Sequence, residues 1–537
     1  MKNNKYILFT LMAIIVMAVT SCHDDFLEVP PNTNLPNDEF WKTSNDAVFG
    51  VNSIYLTLAE GSFPLFGTYG GTLRWIDVLS DDAMWTSNAT ATASGAWGNM
   101  ANGIDLAGDF GSYSNRTWTS FYKMISRANN AITKIEGIDM DTDLKKRLIA
   151  EAKFFRAHAY HRLSIYYGDV PLLLLPFEEE NPVPARDPYT EVRAQIIKDL
   201  TEASVDLPVS YGNADLGRIT KGAALTALMQ ANMYTENWAE ATTAAEEVMS
   251  LGVYQLLPDF SDLWIHGNEE TVESIWEVHF GSDTGGNLAF FGVSDFPSTA
   301  GGGGGFTGWG GFSTPQQQLV NEFETAIDND NDGVIDIATP FDSSSIGSLF
   351  DTNQYVNRDP RLAASIWYNG ADYFGVPYDP DFATQNSGYH WKKGNASPAA
   401  DFPNGRPEYN TIIYRYAYVL LGFAESKNEV SGPDASVYSA INQVRQRVNM
   451  PELATGLNQD QMREAIRHER RVELAGENHR HEDLRRWGLW KQAIENRGIN
   501  NGRQQGSVTI APGHELFPIS QGELDANPNM VQNEAYK

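Results

Sequence analysis

The sequence predicts a mainly α-helical protein: tetratricopeptide-like helical hairpin repeats, with an irregular, loop-rich part containing a few short strands inserted between them. Three observations predict it. Apolar side chains recur at helical spacing in both the first and the last thirds of the chain. The unit from Arg218 to Leu251 spans 34 residues, the length of a tetratricopeptide repeat. The stretch 267–410 loses the helical period and is rich in Gly, Asn, Asp and Pro.

Taken in order, the first 21 residues read as a targeting segment. Lys2 and Lys5 precede an uncharged, almost wholly apolar run from Tyr6 to Thr20. That run is shorter than the roughly 20 apolar residues a membrane-spanning helix needs, so it is a signal-peptide core. Cys22 follows it and is the only cysteine in the chain, which excludes an intramolecular disulfide. Val19-Thr20-Ser21-Cys22 is similar to a bacterial lipobox, which implies cleavage before Cys22 and lipid on that residue. Two or more acyl chains anchor a protein stably. His23-Asp24-Asp25 resembles an export signal to the outer face of an outer membrane. Residues 22–537 are read as a single domain, with helical repeats mainly at about 40–266 and 410–495 and the insertion at about 267–410.

Ala152, Phe155, Ala159, Leu163 and Tyr166 mark one face of a long helix, which Gly168-Asp169-Val170-Pro171 ends. Ala224, Leu228, Ala231 and Tyr234 form a second stripe, and Trp238, Ala241, Ala245 and Val248 a third. Alanine-rich facing stripes let paired helices approach closely. A further hairpin is expected from Ile412–Asn428 and Val437–Val448, turning at Ser431-Gly432-Pro433-Asp434. The insertion carries short apolar runs such as Ser274-Ile275-Trp276-Glu277-Val278, read as strands. Loops on a rigid scaffold are where binding residues concentrate.

With 42% hydrophobic and 20% charged residues, the chain buries a sizeable core. Its formal charge of −30 becomes −32 once Lys2 and Lys5 leave with the signal. Such a surface repels polyanions, so nucleic acid is not an expected partner. The same field disfavours acidic or sulfated ligands.

Several strings then fall into a familiar order. Glu151-Ala152-Lys153-Phe154-Phe155-Arg156-Ala157 precedes Tyr167-Gly168-Asp169-Val170-Pro171-Leu172. Gly217-Arg218-Ile219-Thr220-Lys221 and Asp359-Pro360-Arg361-Leu362 follow. Glu469-Arg470-Arg471-Val472-Glu473-Leu474-Ala475-Gly476-Glu477 leads to Asp483-Leu484-Arg485-Arg486-Trp487-Gly488, and the end carries Phe517-Pro518-Ile519 and Asn527-Pro528. In this order the chain resembles the SusD/RagB family of outer-membrane nutrient-binding lipoproteins. Tyr418 stands where that family usually has an acid, and Gln532-Asn533-Glu534-Ala535-Tyr536 replaces a Pro-Gly before the last Tyr. The resemblance implies that the loop-rich part binds glycan. It implies a surface lipoprotein, held on the extracellular face of the outer membrane at Cys22. It also implies a SusC-like TonB-dependent outer-membrane transporter as partner, to which an oligosaccharide or polysaccharide is delivered. Two other classes remain open beside it: a surface glycoside hydrolase, and a tetratricopeptide scaffold for protein interaction.

A neutral glycan presents hydroxyls to polar side chains and C–H patches to aromatic rings. Of the 13 tryptophans, Trp41, Trp118, Trp238, Trp264, Trp276, Trp367, Trp487 and Trp490 lie in apolar stripes or scaffold strings and are assigned to the core. Trp75 and Trp391 fit either role. Trp85, Trp97 and Trp309 sit among small polar residues or glycine and are assigned to glycan. Asp82 and Asn88 beside Trp85, and Phe306 beside Trp309, complete the candidate contacts. Acidic charge and tryptophan platforms favour a neutral chain, with a β-glucan such as laminarin as first choice.

Asp328, Asp330, Asp332, Val334 and Asp336 stand at positions 1, 3, 5, 7 and 9 of a calcium-loop pattern, with Gly333 at 6. Position 12 is Thr339 in place of the bidentate Glu. A structural calcium ion is expected there. Carboxylate pairs are abundant, but no string marks a catalytic acid, a nucleophile triad, a zinc site or a phosphate loop. The protein is therefore expected not to be an enzyme.

Overall fold

A computed structural model describes residues 40–59, 76–85, 111–177, 182–279, 313–345, 348, 350–380, 387–394, 410–497, 510 and 512–537. Among the described residues six long helices precede the insertion: α1 (Ser44–Ala59), α2 (Gly111–Ile135), α3 (Thr142–Tyr167), α4 (Tyr189–Asp206), α5 (Lys221–Met233) and α6 (Trp238–Ser250). Among the described residues the insertion carries two short ones, α7 (Gln317–Glu322) and α8 (Pro360–Ser365). Beyond it come α9 (Tyr416–Ser431), α10 (Ala435–Arg447), α11 (Gln459–Glu473), α12 (Arg480–Arg486) and α13 (Trp490–Glu495).

Each of α1 to α6 packs on its successor along most of that series, and α6 then packs on α9 across the whole insertion. The local signals are those of helix ends. Asp141 caps α3 by accepting from the Leu144 N–H at 2.8 Å, and Thr220 caps α5 through the Ala223 N–H. Asn458 and Gln461 form a reciprocal capping box on α11. Gly168 ends α3 at φ 75°, a left-handed conformation that glycine adopts without cost. Between α9 and α5 the helices meet at Gly422, where an added Cβ would lie 2.6 Å from the Met229 methyl. A larger residue there would have to push the Met229 side chain aside.

The main core runs through these helices. Phe154 and Phe155 on α3 are fully buried, and Phe154 meets Trp276 edge to face at 5.1 Å. Burying each such ring is worth about 1.5–3 kcal/mol. Trp118, Trp264, Trp276, Trp367 and Trp490 are buried, while Trp41, Trp238 and Trp487 are half-buried against neighbouring helices.

Among the described residues the strands are short and paired in twos. Strand β2 (Ser274–Val278) pairs antiparallel with β10 (Thr411–Arg415), so the insertion enters and leaves at one neck. This revises the expected hairpin start at Ile412. Residues 411–415 complete the ladder with β2, and the helix begins only at Tyr416. Within the insertion, β1 (Ala83–Trp85) from the N-terminal part pairs with β3 (Ser313–Pro315), and β4 (Thr325–Ile327) with β5 (Ile337–Thr339). Further on, β6 (Ile366–Trp367) pairs with β9 (His390–Trp391), and β7 (Asp372–Tyr373) with β8 (Val376–Pro377).

A buried ion network ties the insertion to the repeats. Arg361 is fully buried and donates to Asp359 at 2.7 Å, Glu469 at 2.5 Å and Glu473 at 3.1 Å. Arg415 donates to Glu273, Glu473 and Glu477 at 2.9, 2.6 and 2.7 Å. Buried charges persist only when paired in this way, and removing one partner is costly. Tyr418 lies in the same region, with its ring 4.5 Å from that of His479 at a tilt of 30° and under the Arg470 guanidinium. His479 and His481 are buried against aromatic rings, His481 facing Trp490. Burial holds both imidazoles below their ordinary range.

Candidate glycan-binding site

The β1–β3 ribbon sets the geometry. Its register places Ala83 opposite Pro315, Met84 opposite Thr314 and Trp85 opposite Ser313. Trp85 is the last residue of β1 and Ser313 the first of β3. Because the strands are antiparallel, the chain after Trp85 and the chain before Ser313 leave from the same end of the ribbon. Those are the two tryptophan-bearing segments singled out in the sequence. Asn88, Trp97, Phe306 and Trp309, with Trp75 and Cys22, lie outside the described residues.

The other end of the ribbon is clamped. The Gln316 amide donates to the Ala83 carbonyl at 2.7 Å, and the Gln316 N–H to the Asp82 carbonyl at 2.8 Å. Arg471 on α11 donates through Nε to Asp82 at 2.7 Å, while Arg480 donates to Asp81 at 2.8 and 2.9 Å. Asp82 is therefore corrected from its expected role. Its side chain is 1% exposed and its Oδ1 accepts from Arg471, so burial by the C-terminal helices keeps it from a ligand. Burial would raise Asp81, but Arg471 and Arg480 together hold its carboxyl below the usual range. Asp82 is raised, by burial first and by the Asp81 charge.

Ser313 also lines an open cleft with a cavity volume of about 100 Å³. Asp77, Trp264, Trp391, Lys393 and Asn478 contribute to its walls. Trp391, which the sequence left undecided, is half-buried and lies against Gly476, where a Cβ would come within 2.8 Å of the ring. Gly476 takes φ 75°. Lys393 is buried, donates to the Glu473 carbonyl and to Glu477 at 2.8 Å each, and lies over the Trp264 ring. Burial depresses its ammonium to about 8. Sequence reasoning missed Asp77 and Lys393. The available signal was polar chemistry directly beside a tryptophan: Asp77 two residues after Trp75, and Lys393 two after Trp391.

The acidic pattern 328–336 forms the tip of the β4–β5 hairpin. Asp328 accepts from the Asn331 N–H at 2.7 Å and the Gly333 N–H at 2.9 Å, and the Gly333 contact chiefly lowers its carboxyl. Asp332 accepts from the Val334 N–H at 2.8 Å. Asn331 and Gly333 adopt φ 60° and 90°, so the loop folds back on itself. Ligand oxygens of Asp328, Asp330 and Asp332 lie within 4.8 Å of one another. Asp336 instead accepts from the Asn329 N–H at 2.8 Å, and Thr339 is held opposite Thr325 in the ladder. Three carboxylates thus converge at the hairpin tip, without a bidentate acid at the end of the pattern. Glu270, Glu277 and His279 form a second group of this kind, where the His279 Nε2–Glu270 contact raises the imidazole.

Comparison with known proteins agrees with this architecture. Residues 272–536 match a family model described as the SusD family, and residues 74–233 match one described as starch-binding associating with outer membrane. SusD-like protein P25 of Formosa agariphila is 27% identical over 97% of this chain and 98% of its own. Starch-binding protein SusD of Bacteroides thetaiotaomicron is 23% identical over 98% of each chain. Among solved structures, a SusD-like carbohydrate binding protein from Bacteroides fragilis is similar at a TM-score of 0.77 and 25% identity, covering 92% of this chain and all of that one. A laminarin binding SusD-like protein is similar at a TM-score of 0.69 and 25% identity, with the same coverage.

Proposed function

Since this chain belongs to the SusD/RagB family, we propose that it captures a neutral glycan at the outer face of the outer membrane and passes it to a SusC-like TonB-dependent transporter. The observation that carries the glycan part is the β1–β3 register, which brings the bases of the two tryptophan-bearing loops together at Trp85 and Ser313. Aromatic rings suit the flat C–H faces of sugar rings. The lipid anchor at Cys22 supplies the surface location, and the carbohydrate-binding relatives support the class of ligand. The laminarin binding neighbour supports a β-glucan as the first glycan to try. Calcium is proposed as a structural ion held by Asp328, Asp330 and Asp332, where it would brace the hairpin tip.

The protein acts by binding and not by catalysis. One adjacent carboxylate pair, Asp81 and Asp82, is committed to Arg471 and Arg480 and is unsuited to glycoside hydrolysis, which needs two carboxylates free to face the sugar. Affinity electrophoresis of the purified protein through laminarin, starch, xyloglucan and an anionic polysaccharide tests the reading. Retardation by a neutral gel is expected. Retardation only by the anionic gel, or by none, overturns it.

A further inference from the structure

Glu270, Glu277 and His279 meet where the insertion leaves the repeats. Glu277 lies on β2 and His279 one residue beyond it, so the two side chains share a face of the strand. Glu270 comes from the turn before that strand, at φ 56°. Its N–H donates to Glu277 at 3.1 Å, and its carboxylate meets His279 Nε2 directly. One ligand atom from each of the three lies within 4.8 Å of the others. The imidazole is seated as well. It packs on Gly217 in the loop before α5, where a Cβ would come within 2.7 Å of the ring.

Charge sets this group apart from an ordinary ion pair. Glu273, four residues before Glu277, is buried and answered by Arg415 at 2.9 Å and Arg447 at 3.1 Å. Glu277 is 5% exposed, and its oxygens accept from neutral groups, the Glu270 N–H and the Asn410 amide at 2.8 Å. Among the described residues no lysine or arginine pairs with it. Burial, and then the Glu270 charge, raise its carboxyl above the usual range. Two carboxylates thus share one imidazole. Buried charges are either paired or coordinate a metal, and this buried acid is short of positive charge.

We propose that Glu270, Glu277 and His279 bind a divalent transition-metal ion of the zinc type. Two carboxylate oxygens and one imidazole nitrogen are a zinc donor set, and a three-ligand site leaves its fourth position to water. The imidazole sets it apart from the oxygen-only group at Asp328, Asp330 and Asp332, which suits calcium. The His279 side chain is 42% exposed, so an ion reaches it from solvent. The ion takes the place of the proton in the His279–Glu270 contact, and that proton leaves to solvent. It braces the neck of the insertion, because its ligands touch Asn410 beside the returning strand and Gly217 on the repeats. The site does not depend on the glycan-capture reading.

Zinc chloride and cobalt chloride are titrated into purified, chelator-stripped wild type, His279→Ala, Glu270→Gln and the double change Asp330→Ala and Asp332→Ala. Binding heat, melting temperature and cobalt visible absorption are recorded. Wild type and the double variant should bind one zinc ion, melt higher with it, and develop a cobalt absorption band. His279→Ala and Glu270→Gln alter exposed side chains. Each should weaken zinc binding about tenfold or more and lose the band. Glu270→Gln keeps the test open should His279→Ala fail to fold. If wild type takes up no zinc, or if the folded single variants bind it as tightly as wild type, the proposal falls and the group is an ion pair. Zinc binding lost in the double variant and kept in His279→Ala assigns the ion to the hairpin tip and overturns the proposal equally.

Discussion

Arg471 reaches Asp82 across 389 residues of chain, donating through Nε to the carboxylate at 2.7 Å. The contact fixes the N-terminal strand β1 to helix α11 and so decides where the loop after Trp85 begins. Arg471 also pairs with Asp81 at 3.0 Å and Glu322 at 2.5 Å. Removing it leaves buried carboxylates uncompensated, at a cost of about 3–5 kcal/mol. Arg471→Ala should lower stability by that amount in urea denaturation and weaken glycan retention as well. A change below about 1 kcal/mol would show that the clamp is dispensable.

Calcium should raise the melting temperature and a chelator lower it, because a ligand that binds only the folded state stabilises it. The double change Asp330→Ala and Asp332→Ala should abolish the response. With Thr339 in place of a bidentate acid, the ion should be weakly held, so millimolar calcium is the range to test. A wild-type protein indifferent to calcium would reduce the hairpin tip to an acidic turn.

The tryptophan loops should carry binding but little stability. Trp85→Ala or Trp309→Ala should each cost about 1–3 kcal/mol of glycan affinity, tenfold or more, with a nearly unchanged melting temperature. Purified protein should release no reducing ends from the bound glycan over many hours. Release that copurifies with the chain would make it a hydrolase.

Stability should carry a pH signature from Asp77. Its folded-state value of about 8 lies above the ordinary 3.8, owing to burial and then to Asp82. Between those values the folded chain holds a proton that the unfolded chain has released, so stability falls as pH rises. Asp77→Asn removes this dependence. Its stability relative to wild type should therefore climb from pH 4 to pH 8 in denaturant titrations. A pH-independent difference would show that Asp77 ionises normally.

Cys22→Ala should give a folded, soluble protein that no longer incorporates palmitate, since the thiol is the expected attachment point. Labelling that persists in this variant would remove Cys22 from that role.

Much of the scaffold is legible because helices announce themselves locally. The stripe through Ala152, Phe155, Ala159, Leu163 and Tyr166 and the caps at Asp141 and Thr220 are short-range signals, and each lies where its helix lies. The helix start expected at Ile412 gives way to Tyr416 because the short apolar run Ile412-Ile413-Tyr414 reads alike as helix or strand. Only its pairing with β2 decides the matter.

The sequence by itself determined the helical repeats, the acidic loop pattern, the order of the family strings and the rings that lack an apolar stripe to bury them. Tertiary structure decided which polar groups are spent. Asp82 reads as a sugar contact beside Trp85 until Arg471, distant in sequence, claims it. Asp77 belongs to no motif, and only the fold buries it against the Asn478 N–H and raises its carboxyl. Trp391 reads either way until Gly476 gives its ring a place to lie. The physical reason is common to all three. The fate of a charge or a ring depends on desolvation and on neighbours brought by the fold, and neither is written in the residues beside it.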